Sequence, residues 1–209
     1  MDKLNSSEKR VKIKICGITE EEETEYLKRN HVDFAGFVVF YKKSRRCIDL
    51  EKAGKLINAL GSIKSVAVTV APTQDEIRMI EKTGFDYIQI HGDINREIIE
   101  KCSIPVLKAF NVSDINSYSS YQGIDKIAGY VFDASVPGSG QTFDWNLLNS
   151  VPRDDKLFIL AGGLTPENVR EAIEAVHPDT VDVSTGVEYE EKQGKDPEKV
   201  DRFCQNVLK

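Results

Sequence analysis

The stretch VKIKICGITE, residues 11–20, decides how the fold is interpreted. Valine and isoleucine alternate with lysine, a pattern typical of a β-strand, and the strand ends at Cys16. Gly17 and Thr19 then indicate a turn and the start of a helix. Cys16 is either a small apolar core residue or a reactive thiol. The order strand, turn, helix is the first part of a βα repeat.

Eight short β-rich runs recur along the chain, and each is followed by a turn signal and an amphipathic stretch. The runs are residues 11–17, 34–40, 65–71, 87–92, 105–112, 127–134, 157–163 and 180–186. Strands buried on both faces that alternate with helices eight times in 209 residues predict an α/β fold, a minimal (β/α)8 or TIM barrel. An open, doubly wound sheet is the alternative architecture.

Cap signals mark the starts of several helices. They are the capping boxes Thr19 with Glu22 and Thr73 with Glu76, and the cap-before-proline pairs Thr165-Pro166 and Asp196-Pro197. No linker or repeat indicates a second domain. We therefore expect one catalytic barrel domain over residues 11–209 and a polar N-terminal extension over residues 1–10.

Composition narrows the class of partner. A net charge of -6 and a pI near 5.2 leave no polybasic surface for nucleic acid or an anionic membrane, so we expect a small metabolite. The N-terminus lacks the apolar segment of a signal peptide, and we expect a cytoplasmic protein. The cysteines are scattered without metal or disulfide spacing, which predicts reduced thiols at Cys16, Cys47, Cys102 and Cys204.

Glycines follow the seventh and eighth strands, where TIM barrels commonly bind phosphate. LAGGLTPENV (160–169) and VDVSTGVE (181–188) offer backbone amides and hydroxyls to an anion, or the glycines only permit tight turns. The donors we expect are Gly162, Gly163, Ser184, Thr185 and Gly186. A third glycine-rich loop, PGSGQTFDW (137–145), contains Gly140 and either closes over a ligand or connects two elements.

Two ionisable residues end strands on opposite sides of the predicted barrel mouth, Cys16 and Asp133. A thiol and a carboxyl so placed suit acid/base chemistry on a small sugar without a metal, although a buried thiol and a capping aspartate are alternatives. His91 alone among the histidines ends a strand, which is too few ligands for zinc or iron. Arg45 or Arg46, in the positively charged run YKKSRRC (41–47), could pair with a substrate carboxylate. The alternative is that this run is only a solvated surface.

Several motifs together resemble the phosphoribosylanthranilate isomerase family. They are KICGIT, GF-(x)3-Y-(x)2-SRR, IQIHG, FDA with GSGQTFDW, LAGGLTPENV, VDVSTGVE and GKDPEKV, in order from residue 11 to 203. The resemblance implies an isomerase of tryptophan biosynthesis. Its reaction is an Amadori rearrangement of N-(5-phosphoribosyl)anthranilate to 1-(2-carboxyphenylamino)-1-deoxyribulose 5-phosphate, without a cofactor.

The resemblance also implies roles for individual residues. Cys16 is the expected general base at sugar C2, Asp133 the general acid at the ring oxygen, and Arg46 the contact for the anthranilate carboxylate. The expected substrate-binding residues further include His91, Gly140, Gly162, Gly163, Ser184, Thr185 and Gly186. A thiol base next to the run Glu20 to Glu23 requires those carboxylates to face mostly solvent.

Some positions depart from the family pattern. Pro137 stands where a second glycine is common, Lys42 replaces a frequent proline, and VTVAPT replaces the usual end of strand three. Two alternative functions stay open: another phosphosugar isomerase or epimerase barrel, such as a pentose-phosphate 3-epimerase, and a non-catalytic barrel that binds a phosphorylated metabolite. The chain is expected to be a monomer or a homodimer.

Overall fold

Eight parallel strands close into a barrel in sequence order, β1 to β8, with β8 pairing β1. The computed structural model describes residues 10–134 and 142–209. The strands are Lys12–Cys16 (β1), Phe34–Val38 (β2), Lys64–Val70 (β3), Tyr87–His91 (β4), Val106–Asn111 (β5), Ile127–Asp133 (β6), Leu157–Leu160 (β7) and Thr180–Val183 (β8). The predicted (β/α)8 architecture is confirmed, and the open sheet is excluded.

Helices lie between most of the strands. The α-helices are Glu21–Arg29 (α1), Leu50–Ala59 (α2), Gln74–Thr83 (α3), Arg96–Glu100 (α4), Val169–Val176 (α5) and Pro197–Val207 (α6). After β5 and β6 the chain forms 3-10 helices instead, Val112–Tyr121 and Trp145–Ser150, and a short one, Thr185–Val187, follows β8. Asn, Asp and Ser are frequent in VSDINSYSSY, and such residues compete for backbone hydrogen bonds and weaken an α-helix.

Apolar side chains form two layers on the two faces of the barrel wall. The larger cluster joins alternate strand residues such as Ile13 and Ile15 to helix residues such as Leu27. The smaller cluster contains strand residues, including Phe34, Val66 and Ile159, and fills the barrel interior. Because successive side chains of a strand alternate in direction, Lys14 and Cys16 share the interior face of β1.

Strand register then fixes which interior residues are neighbours. Lys14 lies beside Asp182 of β8, and Cys16 lies beside Gly36 of β2. β6 pairs β5 through Asn111 and Asp133, after a register shift near Val106. The carboxyl ends of β1, β2, β6 and β8 thus bring these interior groups to one mouth of the barrel.

Two of the four predicted caps are confirmed. Thr73 and Glu76 form the box that starts α3, and Asp196 caps α6 with Pro197 in its first turn. The other two are wrong by one and three residues, because the caps are Glu20 and Asn168. α1 begins after Glu20 with Glu23 as the box partner, and α5 begins only at Val169.

The expectation that the acidic run mostly faces solvent is confirmed for three of its four residues, and Glu23 is the exception. Glu20, Glu21 and Glu22 are exposed, whereas Glu23 is 3 % exposed. Its carboxylate accepts hydrogen bonds from the backbone amides of Thr19 at 2.6 Å and Lys195 at 2.5 Å. The carboxylate therefore ties α1 to the segment before α6 and is not hydrogen-bonded to the Cys16 sulfur.

The described chain starts at Arg10, whose guanidinium donates two hydrogen bonds, at 2.7 and 2.9 Å, to Asp33. The rest of the predicted extension, residues 1–9, lies outside the described residues. Among the described helices, none is long and apolar enough to cross a membrane.

Candidate active site

Cys16 lies at the end of β1 against a glycine of the next strand. A Cβ atom on Gly36 would lie 2.9 Å from the Cys16 sulfur and 3.2 Å from Lys14 Nζ. Any side chain at position 36 would therefore displace the thiol or the ammonium. The Gly36 carbonyl also accepts the amides of Gly17 and Ile18, at 2.8 and 3.0 Å, which holds the turn after Cys16.

A buried ion pair lies beside the thiol. Lys14 Nζ donates to Asp182 Oδ2 at 2.7 Å, and the two side chains are 0 % and 6 % exposed. Burial raises the pKa of Cys16, and Lys14 is the largest influence in the opposite direction. Lys195 and Arg46 also lower the thiol pKa, whereas Asp182 raises it. The cation that a thiol base needs is thus present on its own strand.

Asp133 ends β6 and remains partly accessible. Its Oδ1 accepts the amide of Ala134 at 2.8 Å. Burial, followed by the nearby negative charge of Asp182, raises the pKa of Asp133 to about 6. A carboxyl with this pKa is far better suited to donate a proton near neutral pH than an ordinary aspartate.

Arg46 crosses directly over the turn that follows Cys16. A Cβ atom on Gly17, whose φ is +84°, would lie 2.4 Å from Arg46 Cδ. The arginine is therefore packed beside the thiol because Gly17 has no side chain. Its side chain is only 13 % exposed.

Glu188 holds Arg46 in that position. Arg46 Nε donates to Glu188 Oε1 at 2.5 Å and Nη2 to Oε2 at 2.9 Å, while Nη2 also donates to the Thr185 hydroxyl at 2.8 Å. The same carboxylate accepts from the buried Lys195 at 3.0 Å and from the more exposed Arg45. The hydrogen bonds of Arg46 in particular lower the pKa of Glu188 to about 2, so it is a carboxylate at any working pH.

The loops after β7 and β8 pack against each other and against β6. A Cβ atom on Gly162 would lie 2.5 Å from the Ala134 amide nitrogen, and one on Gly186 would lie 2.0 Å from the Leu164 carbonyl oxygen. Both glycines are required by close backbone approach. Among the described residues, no acceptor is bound by the amides of Gly162 and Gly163, and backbone amides of this kind can bind an anion.

The hydroxyls of the eighth loop already have protein partners. Ser184 Oγ donates to the Cys16 carbonyl at 2.9 Å and accepts from Lys195, and Thr185 accepts from Arg46. The Thr165 amide in the loop after β7 is also occupied, because it donates to Asn168 Oδ1 at 2.8 Å. Backbone amides are therefore better placed than these side chains to bind phosphate.

His91 ends β4 at the same mouth. The Gln89 amide nitrogen lies 2.8 Å from His91 Nε2, so the amide donates to the ring. Burial, assisted by the charges of Lys14 and Lys108, lowers the pKa of His91 to about 3. The imidazole is neutral and is a hydrogen-bonding group of the mouth.

The structure thus brings Cys16, Asp133 and Arg46 to one mouth with the glycines of the last two loops. Gly140 and Pro137 lie outside the described residues. The sequence interpretation missed four buried charged residues around Cys16 and Arg46, although all four stand in motifs that it quoted. These are Lys14, Asp182, Glu188 and Lys195. Lys14 and Asp182 had a usable signal, because strand alternation places each two residues before another mouth residue on the interior face.

Residues 10–134 and 142–209 contain no group of three or more His, Cys, Asp or Glu side chains that could hold a metal ion. The described part of the mouth instead contains a thiol, carboxyl groups and cations that come from both the first and the last strands.

Comparison with known proteins agrees with this geometry. Residues 13–206 match the family model of N-(5'phosphoribosyl)anthranilate (PRA) isomerase. The N-(5'-phosphoribosyl)anthranilate isomerase of Streptococcus mutans is 38 % identical over 95 % of this chain and 99 % of its own.

Solved structures give the same result. Phosphoribosylanthranilate isomerase from Thermotoga maritima, described as a dimeric enzyme studied as monomers, is 34 % identical with a TM-score of 0.81, covering 94 % of this chain and 98 % of its own. A family member in complex with reduced 1-(o-carboxyphenylamino)-1-deoxyribulose 5-phosphate is 33 % identical, with a TM-score of 0.79 and coverage of 94 % and 98 %. The chain belongs to the N-(5'-phosphoribosyl)anthranilate isomerase family.

Proposed function

We propose that this chain converts N-(5-phosphoribosyl)anthranilate to 1-(2-carboxyphenylamino)-1-deoxyribulose 5-phosphate, the isomerase step of tryptophan biosynthesis. One observation supports this most strongly: a thiol and a high-pKa carboxyl end β1 and β6 and are influenced by one interior ion pair. The relatives that are 38 % identical carry the name of this activity.

Asp133 begins the reaction as general acid. Its protonated carboxyl gives a proton to the furanose ring oxygen, the bond from C1 to that oxygen breaks, and the anilino nitrogen forms an iminium with C1. The raised pKa of about 6 keeps an appreciable protonated fraction near neutral pH.

Cys16 then acts as general base. The iminium makes the proton on C2 acidic, the thiolate removes it, and the resulting enolamine tautomerises to the aminoketose. The thiolate is a minor form because burial raises the pKa of Cys16, and the neighbouring Lys14 increases its population. No electrons leave the substrate, since a hydrogen has only moved from C2 to C1.

Arg46 and the last two loops orient the substrate. The carboxylate of Glu188 fixes the guanidinium beside Gly17, where it can meet the anthranilate carboxylate. The phosphate binds the backbone amides of Gly162 and Gly163, with Gly186 packed against Leu164 and Thr165 of the same loop. With its carboxylate held at Arg46 and its phosphate at the last two loops, the substrate places its sugar between the Cys16 thiol and the Asp133 carboxyl.

The remaining expectations are proposals of the same kind. Residues 11–209 form one catalytic domain that acts in the cytoplasm, as a monomer or as a homodimer like the dimeric Thermotoga maritima relative. Its partner is a small phosphorylated aminosugar.

The test is turnover of freshly generated N-(5-phosphoribosyl)anthranilate by the purified chain, followed by the loss of anthranilate fluorescence. Protein that carries both Cys16→Ala and Asp133→Asn is the blank. A wild-type rate indistinguishable from this blank would refute the proposal and favour a barrel that only binds a phosphorylated metabolite. Tight binding of inorganic phosphate by both proteins would then support that alternative.

A further inference from the structure

The Lys14–Asp182 ion pair lies inside the barrel wall between the two proposed catalytic groups. Lys14 is on β1, two residues before Cys16, and Asp182 is on β8, two residues before Ser184. A distance of 2.7 Å joins their charged atoms, and neither side chain is more than 6 % exposed. An ion pair of this kind is costly to bury and contributes little net stability, so its retention calls for another reason.

The pair is oriented. Lys14 Nζ shares with the Cys16 sulfur the space left by the missing side chain of Gly36, within 3.2 Å and 2.9 Å of the same point. Asp182 Oδ1, the oxygen that Lys14 does not contact, has no hydrogen-bond partner among the described residues. The positive end is therefore next to the thiol, and the negative end is not fully neutralised.

We propose that the Lys14–Asp182 pair is an oriented dipole that favours the thiolate of Cys16 at one end and the protonated carboxyl of Asp133 at the other. Lys14 and Asp182 are positioning residues that act through the proposed catalytic pair. This proposal rests on the proposed function and names the residues that prepare its base and its acid.

The charges around the two groups agree with this division. Lys14, Lys195 and Arg46 lower the pKa of Cys16, with Lys14 having the largest effect of the three. Asp182 is the charged group that raises the pKa of Asp133 most, and Lys14 lowers that pKa by less. Arg46 and Lys195 are the other cations that act on the thiol. His91 is neutral and Gly36 has no side chain, so neither adds a charge to the mouth.

The dipole matters because the reaction needs an unusual combination of protonation states. The pKa of Asp133 is about 6, and that of Cys16 lies above the ordinary thiol value. In the active form Asp133 is nevertheless protonated while Cys16, the weaker acid, is deprotonated. Its population falls about tenfold for each unit by which the two pKa values move apart. The dipole brings them closer together.

The first test measures the thiolate directly. The absorbance of the thiolate near 240 nm is titrated against pH, and the spectrum of Cys16→Ser is subtracted so that the other cysteines cancel. We expect Lys14→Met to raise the midpoint of the Cys16 titration by about one unit or more, as loss of an adjacent opposite charge does. Lys14→Arg, which keeps the charge, should restore most of the shift.

The second test measures the acid. In Asp182→Asn the rising limb of the kcat–pH profile should end about one unit lower, because it ends at the pKa of Asp133. The double variant Lys14→Met/Asp182→Asn removes both charges together. It leaves no unpaired charge in the interior, so it avoids the misfolding that a single variant could cause. In this double variant the thiol midpoint should still rise, and the activity on the plateau should fall at least tenfold.

Lys64→Met is the matched control, because Lys64 makes a 2.8 Å ion pair with Asp86 at the opposite end of the barrel. It should move neither titration. An unchanged Cys16 midpoint in Lys14→Met, or a rising limb of kcat that ends at the wild-type pH in Asp182→Asn, would overturn the dipole proposal. Absence of wild-type turnover would instead refute the proposed function, and the thiolate titration would still decide the part played by Lys14.

Discussion

The two ends of the barrel use the same kinds of ion pair in opposite ways. At the amino-terminal end, Arg10 pairs with Asp33 and Lys64 with Asp86, and both cations are at least half exposed. At the carboxyl-terminal mouth, Lys14 pairs with Asp182, and Glu188 with Arg46 and Lys195, almost without exposure to solvent.

This difference separates structural from functional charge. Exposed pairs are screened and contribute roughly 0–1 kcal/mol. Buried pairs carry a desolvation cost, and removing one partner typically destabilises by about 3–5 kcal/mol. Asp133, Glu188 and His91, whose pKa values are strongly shifted, lie at the mouth, whereas the strongly shifted thiols Cys102 and Cys204 belong to the larger apolar cluster and take no part in an ion pair there. The buried pairs of the mouth therefore shift protonation states at a cost in stability. The variants below test this difference between the mouth and the amino-terminal end.

The largest effect is expected from the proposed acid and base at the mouth. Cys16→Ala and Asp133→Asn should each lower kcat by about 10² or more, because each removes a proton-transfer group. The measurement is steady-state kinetics with N-(5-phosphoribosyl)anthranilate.

Cys102→Ala is the control for the thiol. Cys102 is buried after α4, where its sulfur donates to the Ile98 carbonyl, and burial raises its pKa to about 11. Its loss should leave kcat within about twofold of wild type, since a small core cysteine acts as an apolar residue. A Cys16→Ala enzyme that turns over as fast as Cys102→Ala would remove Cys16 from the mechanism.

A smaller effect is expected when the orienting carboxylate is lost. Glu188→Gln leaves Arg46 without its anionic partner, so KM should rise about 10–100-fold, the value of hydrogen bonds to charged groups, and kcat should change less. Glu190→Gln is the matched control, because Glu190 has a side chain 86 % exposed. If KM were equal in the two variants, Glu188 would not position Arg46 for the substrate.

The pH profile sharpens the comparison without a mutation. Below about pH 6 both groups are protonated, so kcat should rise about tenfold per unit as the thiolate fraction grows. Above about 6 the loss of protonated Asp133 cancels the gain in thiolate, and kcat should stay level up to the raised pKa of Cys16.

Because the substrate phosphate also ionises near this range, the limb must be followed in kcat rather than in kcat/KM. A narrow optimum with kcat falling steadily between neutral pH and the thiol pKa would contradict the assignment of acid and base.

The smallest effect is expected at the amino-terminal end. Arg10→Met removes both hydrogen bonds to Asp33, yet kcat and KM should stay within about twofold of wild type, and stability should fall by roughly 0–1 kcal/mol. Thermal unfolding and the same kinetic assay measure both. A kinetic defect as large as that of Glu188→Gln would abolish the distinction between the two ends.

The strands could be predicted because they are buried on both faces and leave short, unmistakable apolar runs. The ends of β7 and β8 were placed three residues too late, since glycine-rich loops continue the small-residue pattern of the strands. The start of α5 was also missed. Thr165-Pro166 has the composition of a helix start, but Asn168 binds the Thr165 amide and delays the helix to Val169.

The buried networks of the mouth were harder to predict for a physical reason. Glu188 and Arg46 are hydrogen-bonded although they are 142 residues apart in the sequence. A local sequence pattern cannot predict a contact between residues so far apart. Lys14 is the exception. A lysine on the interior face of a buried strand needs a carboxylate partner, so alternation alone predicts that one exists, although not that it is Asp182.

The central claim is geometric: Cys16 and Asp133 meet the same sugar while its carboxylate and phosphate are held at Arg46 and the last two loops. The most direct measurement is a crystal structure of this chain with reduced 1-(o-carboxyphenylamino)-1-deoxyribulose 5-phosphate. We predict the Cys16 sulfur within about 3.5 Å of C2 and the Asp133 carboxyl within about 3 Å of the former ring oxygen. A complex in which either group lies beyond the reach of the sugar, with the ligand fully bound, would contradict the account.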